Sequence, residues 1–316
     1  MEGLADYLLR DILTRVGGYD GAVTEFVRVS GNLLPHRVYR RISPELGNQG
    51  LTSDGTPVVV QLLGSDPVAL GENAACLSEL TPPGIDLNFG CPAKTVNSHG
   101  GGASLLADPE CLYRIAAAVR RSVPPHIPFT AKMRLGVEDR SRALECALAL
   151  EAGGVEGLVV HARTKRDGYR PPAYWEWIAR IGDVVQVPVV ANGEVWTEAD
   201  WQRCRSVSGA RDVMLGRGAV SDPFLARRIA QGGNEAADRD AEWSELVLLI
   251  GEFWERVQLK VEARHAPGRL KQWINMLRRS FPAAERLYLE LRVQPDIRSV
   301  GHVLQRHGVP VLRAAA

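Results

Sequence analysis

Apolar residues along this chain fall into short continuous runs that alternate with longer stretches of helical periodicity. Seven apolar runs lie at 22–27, 58–63, 84–89, 129–135, 157–163, 187–192 and 212–217. Amphipathic stretches separate them, for example at 109–122, 139–152, 174–182 and 197–206. Strands that alternate with helices predict βαβ units and a parallel sheet. The runs lack polar alternation, as expected for strands that are covered on both faces.

A (β/α)₈ barrel of the TIM type is the architecture that this alternation favours. The competing architecture is a doubly wound open sheet, which usually carries G-x-G-x-x-G after its first strand, and no such motif follows 22–27. Beyond residue 237 the strand signal ends. Helical periodicity continues at 241–264, 267–281, 283–292 and 296–307. We therefore predict an α/β barrel domain over 1–237 and a small helical domain over 238–316.

The length of 316 residues suits one barrel with a small appendage. The sequence has neither an apolar run long enough to cross a membrane nor a signal pattern, so we expect a cytoplasmic protein without a membrane partner. Five cysteines are present, no two at C-x-x-C spacing, so we expect neither a disulfide framework nor a metal site. Nothing in the sequence indicates an obligate protein partner.

Charge is unevenly distributed, although the formal net charge is only +1. From Arg256 to the C-terminus, twelve Arg or Lys outnumber four Asp or Glu, which gives this part a charge of +8 and leaves −7 on the first 255 residues. A basic C-terminal fifth on an acidic body predicts a polyanionic partner. A solvated basic helical face is the alternative interpretation.

Barrel enzymes carry their chemistry at the carboxyl ends of the strands, so the residues that end each run are the candidate site. The run at 84–89 leads into Gly90-Cys91-Pro92. Gly90 permits a turn and Pro92 cannot continue a strand, so Cys91 is presented at a strand end. A thiol there can serve as a nucleophile or a proton donor, and a tight packing turn is the alternative.

Cationic residues and glycine turns mark further strand ends. Lys132 and Arg134 are two residues apart, so both lie on one face of the strand at 129–135, where a buried cation needs a bound anion or an internal salt bridge. His161 lies in the next run, at 157–163, directly after its apolar residues at 157–160. Glycine turns at 192–194 and 216–218 end the last two runs, where barrels commonly bind phosphate.

A phosphorylated planar cofactor fits this arrangement, with its phosphate at the glycine turns and its ring over the barrel mouth. Flavin mononucleotide (FMN) is the natural candidate, because Lys132 would stabilise an anionic reduced flavin electrostatically. Gln61 lies on the run at 58–63 and would contribute to the same mouth. The P-loop pattern G-x-x-x-x-G-K-[ST] does not occur, which argues against a P-loop NTPase.

Several segments, in order along nearly the whole chain, resemble the bacterial tRNA-dihydrouridine synthases. They are Met1-Glu2-Gly3, Thr24-Glu25-Phe26, Gln61-Leu62-Leu63-Gly64, 86–94 (DLNFGCPAK), 100–103 (GGGA), 132–136 (KMRLG), 160–164 (VHART), 191–194 (ANGE) and 214–218 (MLGRG). The block at 86–103 is the most specific of these. The resemblance implies a barrel enzyme that uses FMN and NADPH to reduce uridine in tRNA to dihydrouridine.

The resemblance also implies a role for each matching residue. Cys91 corresponds to the proton donor, which protonates C5 of uracil after hydride transfer from flavin N5 to C6. Flavin contacts are implied for Gln61, Lys132, His161, Asn192, Gly193, Glu194, Gly216 and Arg217. Asn88 and Arg134 match positions that meet the target nucleotide. From the charge distribution, we expect Arg28, Arg269 and Lys271 to contact tRNA phosphates.

Segments 25–28 (EFVR) and 269–273 (RLKQW) resemble the C-type branch of the family, which implies uridine 16 of the D loop as the target. Family members begin with a strand that ends in Ala-Pro-Met, whereas this chain begins at the matching methionine. We therefore expect seven strands, with a gap between the strand at 22–27 and that at 212–217, and weakened flavin binding.

Two other functions stay open on the sequence. One is an FMN-dependent barrel reductase or dehydrogenase that acts on a small pyrimidine or enone, although such a substrate does not require the basic tail. The other is a tRNA-binding protein without catalysis, although this reading leaves the presented cysteine and the two glycine turns unexplained.

Overall fold

The structure is a computed structural model that describes residues 3–97, 100–232 and 238–311. The chain divides into two compact units, which we name the barrel unit (Asp20–Gly216) and the helical unit (Met1–Tyr19 with Arg217–Ala316). This division differs from the boundary predicted after residue 237. The reason is that the helix before the first strand and the segment that follows Gly216 share a core with the C-terminal helices.

The barrel unit contains a curled parallel sheet. Its strands are β1 (Ala22–Val23), β2 (Val27–Arg28), β3 (Val58–Leu63), β4 (Ile85–Phe89), β5 (Phe129–Arg134), β6 (Leu158–His161), β7 (Val189–Asn192) and β8 (Val213–Met214). The strand order is β1-β3-β4-β5-β6-β7-β8, and β2 also pairs with β3. Parallel strands with intervening helices are the arrangement predicted from the sequence, so the α/β barrel class is confirmed.

The first predicted strand is divided into β1 and β2. Ala22 pairs with Val58 and Val27 pairs with Leu62. The chain therefore advances five residues from β1 to β2 while β3 advances four. The extra residue is accommodated as in a β-bulge. The eight segments found in the described residues therefore occupy seven strand positions, one for each apolar run. Within those residues no pairing joins β1 or β2 to β8, and these strands stand at the two ends of the order.

Helices follow most strands, and they are the regular elements in the described residues of the helical unit. In chain order they are α1 (Tyr7–Val16), α2 (His36–Ile42), α3 (Pro67–Ser78), α4 (Lys94–Asn97), α5 (Pro109–Ser122), α6 (Ala143–Ala152), α7 (Glu176–Gly182), α8 (Glu198–Ser208), α9 (Arg217–Ser221), α10 (Leu225–Ala230), α11 (Arg239–Lys260), α12 (Ala266–Leu277), α13 (Pro282–Leu291) and α14 (Ile297–Arg306). Short 3₁₀ helices lie at Pro44–Gly47 and Gly102–Ala107.

Local capping chemistry explains where several of these helices begin and end. The Asp66 side chain accepts hydrogen bonds from the first backbone N–H groups of α3, and Pro67 occupies the first turn, where its missing N–H costs nothing. Thr197 and Asp200 form a reciprocal capping box at the start of α8. The same helix ends at Gly209, whose φ of 67° is accessible to glycine at little cost.

Side chains alternate across the strands and so separate an apolar side of the sheet from a polar one. On β4, Ile85, Leu87 and Phe89 are buried in the main core cluster, which also contains helix residues such as Leu70 and Leu112. The intervening residues of β4 are Asp86 and Asn88, whose side chains bond to polar groups of neighbouring strands. The apolar side of the sheet is therefore covered by helices, and the other side carries the polar groups.

The helical unit has its own core, in which Trp254 and Trp273 are fully buried. Trp273 donates its indole N–H to the carbonyl of Val220 at 3.2 Å and meets the ring of Phe253 edge-on at 4.8 Å between centroids. Among the described residues, no helix has both the length and the apolarity needed to cross a membrane.

Candidate active site

Polar side chains on the inner side of the sheet lie in register on neighbouring strands. Gln61 pairs with Asp86 and Asp86 pairs with Thr130, while two residues further along Asn88 pairs with Lys132. At the strand ends, Arg134 pairs with His161, and His161 pairs with Asn192. Residues that sequence analysis found in five separate segments are thereby brought together on β3 to β7.

The Cys91 turn, Gly90 to Pro92, follows β4 and is held from both sides. The side-chain oxygen of Asn88 accepts hydrogen bonds from the backbone N–H groups of Gly90 and Cys91, both at 2.9 Å. The carbonyl of Cys91 accepts from the backbone N–H of Ala103 at 3.0 Å. A Cβ on Gly102 would lie 2.7 Å from that carbonyl, so the glycine-rich segment packs against the turn and requires glycine there. Cys91 itself is half-buried.

A chain of side-chain hydrogen bonds connects this turn to the sheet interior. Asn88 donates through Nδ2 to Oε1 of Gln61 at 2.6 Å, and Gln61 donates through Nε2 to Oδ2 of Asp86 at 2.7 Å. The other carboxylate oxygen of Asp86 accepts from the hydroxyl of Thr130 at 2.7 Å. Burial raises the pKa of Asp86, and the hydrogen bonds from Thr130 and Gln61 oppose that rise. Sequence analysis did not single out Asp86.

Lys132 is a half-buried ammonium that projects from β5. Nζ donates to Oδ1 of Asn192 at 2.9 Å, and Asn192 in turn donates to the carbonyl of Met214 at 2.8 Å. Burial lowers the pKa of Lys132 to about 8, helped by the positive charge of Arg134 and opposed by Asp86. Among the described residues, the one hydrogen-bond partner of this ammonium is a neutral amide. A bound anion would therefore be stabilising here.

Arg134 is almost fully buried beneath the strand ends. It donates through Nε to the carbonyl of Gly90 at 2.8 Å, and through one terminal nitrogen to the carbonyls of Thr164 and Gly168 at 2.9 and 2.8 Å. The guanidinium lies 5.2 Å from the ring centroid of Tyr169. Burial lowers its pKa. Arg134 therefore supports the loops around the Cys91 turn, and its predicted contact with the target nucleotide stays a prediction.

His161 and Glu194 meet at Arg163, a residue that the sequence contains within V-H-A-R-T but that we did not assign to the site. Arg163 is fully buried, forms an ion pair with Glu194, and approaches Nε2 of His161 to 3.3 Å. Gly193 has a φ of 116°, and a Cβ there would lie 2.8 Å from Cδ2 of His161. The Asn-Gly-Glu turn therefore places its glycine where the imidazole leaves no room for a side chain.

Of the remaining predicted residues, Gly216 follows β8, and a Cβ there would lie 4.0 Å from Nδ2 of Asn192. Gly216 ends the barrel unit and Arg217 begins α9 of the helical unit. Arg28 is exposed on β2 and donates to the carbonyl of Thr95 at 3.1 Å.

Within the helical unit, Arg269 and Lys271 are both engaged in internal contacts. Arg269 forms an ion pair with Asp6 at 2.9 Å, and its guanidinium lies 4.8 Å from the ring centroid of Phe253. Lys271 donates to backbone carbonyls that follow α13, including that of Gln294. Their predicted contacts with tRNA phosphates stay predictions. No group of three or more His, Cys, Asp or Glu that could hold a metal occurs in the part of the chain that the structure describes.

Comparison with known proteins identifies the family of this chain. The family model described as "Dihydrouridine synthase" matches residues 1–290. The chain is 57% identical over 310 residues to a tRNA-dihydrouridine(16) synthase of Cupriavidus necator, covering 98% of this chain and 95% of that protein. It is 56% identical over 304 residues to a protein of the same name from Pseudomonas putida, covering 96% and 94%. The chain therefore belongs to the dihydrouridine synthase family, as its motifs predicted.

A solved structure described as a complex of 2-naphthoyl-CoA reductase shares the fold. It superposes with a TM-score of 0.55 at 11% sequence identity, over 72% of this chain and 46% of that protein. At that identity the likeness extends to the fold alone.

Proposed function

We propose that this protein reduces uridine to 5,6-dihydrouridine in the D loop of tRNA, at position 16, with FMN as cofactor, NADPH as reductant and Cys91 as proton donor. The observation that carries the proposal is the Cys91 turn, which Asn88 holds at the strand ends, with Lys132 beside Asn88 in the strand register. The names of the relatives support the choice of tRNA and of position 16.

The residues at the strand ends fit a flavin. Lys132 has donor capacity beyond its bond to Asn192, and its lowered pKa indicates that a nearby negative charge would be favourable. Gln61, His161, Asn192 and the glycine at 193 line the same strand ends. Bound FMN would supply a hydride to C6 of the uracil ring.

Cys91 then has a defined task in our proposal. Hydride addition at C6 leaves an electron pair at C5 and the neighbouring carbonyl, and a proton from the Cys91 thiol completes the C5–H bond. The S–H bond breaks in that step, and the thiolate recovers its proton from solvent. Asn88 fixes the backbone of the turn, so the thiol is presented in a defined position. With FMN bound, NADPH would supply the electrons that restore its reduced form.

We assign tRNA binding to the cationic residues of the protein surface. The C-terminal part carries a charge of +8 from Arg256 onward, which suits a phosphate backbone. Arg28, Arg269 and Lys271 are proposed phosphate contacts, while Asn88 and Arg134 are proposed to meet or support the target nucleotide. Arg269 and Lys271 would serve alongside their contacts within the helical unit.

A single assay tests the proposal. Purified protein is given FMN, NADPH and an unmodified tRNA transcript, and dihydrouridine is mapped along the product. We expect a visible flavin spectrum and dihydrouridine at position 16, with none formed on a matched transcript that carries cytidine there. A flavin-free protein that ignores added FMN, or reduction of free uracil without reduction of tRNA, would contradict the proposal.

A further inference from the structure

The carboxylate of Asp86 lies at the start of a line of hydrogen bonds that ends on the Cys91 turn. Asp86 is 2% exposed and belongs to the inner side of β4. From it the line passes through the side chains of Gln61 and Asn88 and reaches the backbone N–H of Cys91, with successive distances of 2.7, 2.6 and 2.9 Å. The three side chains are adjacent across β3 and β4, so the line follows directly from the strand register.

Each amide in this line has two possible orientations, and only one of them satisfies every bond. The oxygen of Asp86 that contacts Gln61 acts as an acceptor, so Gln61 must turn its NH₂ group toward it. Oε1 of Gln61 then points at Asn88, which must offer its own NH₂ group. Oδ1 of Asn88 is thereby left for the N–H groups of Gly90 and Cys91. An acceptor at residue 86 therefore sets the polarity of both amides.

Reversal of either amide would place two donors or two acceptors against each other. If Asn88 turned over, its NH₂ group would face the N–H of Cys91, and the turn would lose two hydrogen bonds at once. Buried polar groups without a partner are costly, so the line is stable in one orientation only while its acceptor is present. This role of Asp86 can be separated from packing, because a leucine of similar size would fill the same space without accepting a hydrogen bond.

We infer that Asp86 is a positioning residue, which fixes the amide orientations of Gln61 and Asn88 and thereby holds the Cys91 turn in the geometry that delivers its proton. This inference rests on the proposed function for its catalytic consequence. Its structural part, the effect of Asp86 on the backbone of Cys91, is independent of any activity.

The test compares Asp86→Leu, Asp86→Asn and Thr130→Val in the full chain. Asp86→Leu removes the acceptor at nearly constant volume. Asp86→Asn keeps one acceptor oxygen for Gln61 and should restore function in part. Thr130→Val removes only the other hydrogen bond of Asp86 and is the matched control.

Two quantities are measured for each variant, single-turnover dihydrouridine formation and hydrogen exchange, and the dissociation constant for tRNA is a check on binding. For Asp86→Leu we expect single-turnover dihydrouridine formation to fall roughly 10- to 100-fold, with the dissociation constant for tRNA little changed. Hydrogen exchange at the backbone N–H of Cys91 should become faster. Thr130→Val should behave like the wild type in both measurements. Normal turnover with normal exchange in Asp86→Leu would overturn the inference, as would equal losses in Thr130→Val and Asp86→Leu.

A third measurement needs no variant and remains decisive if Asp86→Leu does not fold. Neutron diffraction on the unmodified protein locates the amide hydrogens directly. The NH₂ group of Gln61 must point at Asp86, and that of Asn88 must point at Gln61. Reversed amides would refute the inference. If the wild type forms no dihydrouridine at all, the proposed function fails, while the exchange and neutron measurements still decide the role of Asp86.

Discussion

Replacement of Lys132 by methionine should make the protein without cofactor more stable at neutral pH. The ordinary lysine pKa of 10.5 falls to about 8 in the folded protein, because burial penalises the ammonium. Below pH 8 the folded protein keeps this side chain protonated, and burial of the charge lowers the free energy of unfolding. The methionine variant lacks the charge and escapes the penalty, although it also lacks the lysine that the proposed chemistry needs. Stability and function are expected to move in opposite directions at this position.

The magnitude follows from the pKa values. A folded-state pKa near 8 against 10.5 in the unfolded chain lowers stability by about 3 kcal/mol at pH 7 and by about 1 kcal/mol at pH 10. The unfolded chain binds more protons between these values, so wild-type stability rises with pH across that window. Loss of the hydrogen bond to Asn192 costs the variant about 1–2 kcal/mol at every pH, which is less than the penalty that it escapes at pH 7. The pH dependence is therefore the diagnostic quantity.

Urea unfolding of wild type and Lys132→Met, at pH 7 and at pH 10 in the absence of flavin, measures this dependence. Between pH 7 and pH 10, the free energy of unfolding of the wild type should rise by about 2 kcal/mol relative to that of the variant. Lys260→Met, which removes an exposed lysine at the end of α11, is the control and should show no such gain. If the difference between wild type and Lys132→Met stays constant within about 0.5 kcal/mol, the ammonium is not penalised by burial and the reasoning fails.

Four further substitutions test other parts of the protein. Cys91→Ala should lower single-turnover dihydrouridine formation roughly 10²–10⁴-fold with the flavin spectrum unchanged, and an unaltered rate would remove the thiol from the mechanism. Glu194→Gln leaves the buried guanidinium of Arg163 without its carboxylate, so urea unfolding should show a loss of about 2–4 kcal/mol; an undiminished free energy would contradict this. Arg269→Ala and Lys271→Ala should each reduce the salt slope of tRNA binding by about one unit, and only the arginine change should also remove an ion pair and lower the unfolding free energy. Unaltered slopes in both variants would place the tRNA elsewhere.

The sequence determined the features of this protein that depend on neighbours along the chain. Apolar runs of strand length became β3 to β8, and the run at 22–27 became β1 and β2. The Gly90-Cys91-Pro92 segment leaves the strand because Gly90 permits a turn and Pro92 cannot continue a strand ladder. The spacing of the motifs was also sufficient to identify the family. Successive strands of a barrel are neighbours, so motifs at successive strand ends are expected to lie together.

Only the tertiary structure decided which polar groups are partners. Asp86 and Arg163 are single letters within strong motifs, yet their importance lies in contacts with Gln61 and Glu194 on other strands. Arg269 looks like a free surface cation in its helix, but its acidic partner lies near the opposite end of the chain. A sequence records where charges are, while the free energy of a charge depends on its burial and on the groups that meet it in space.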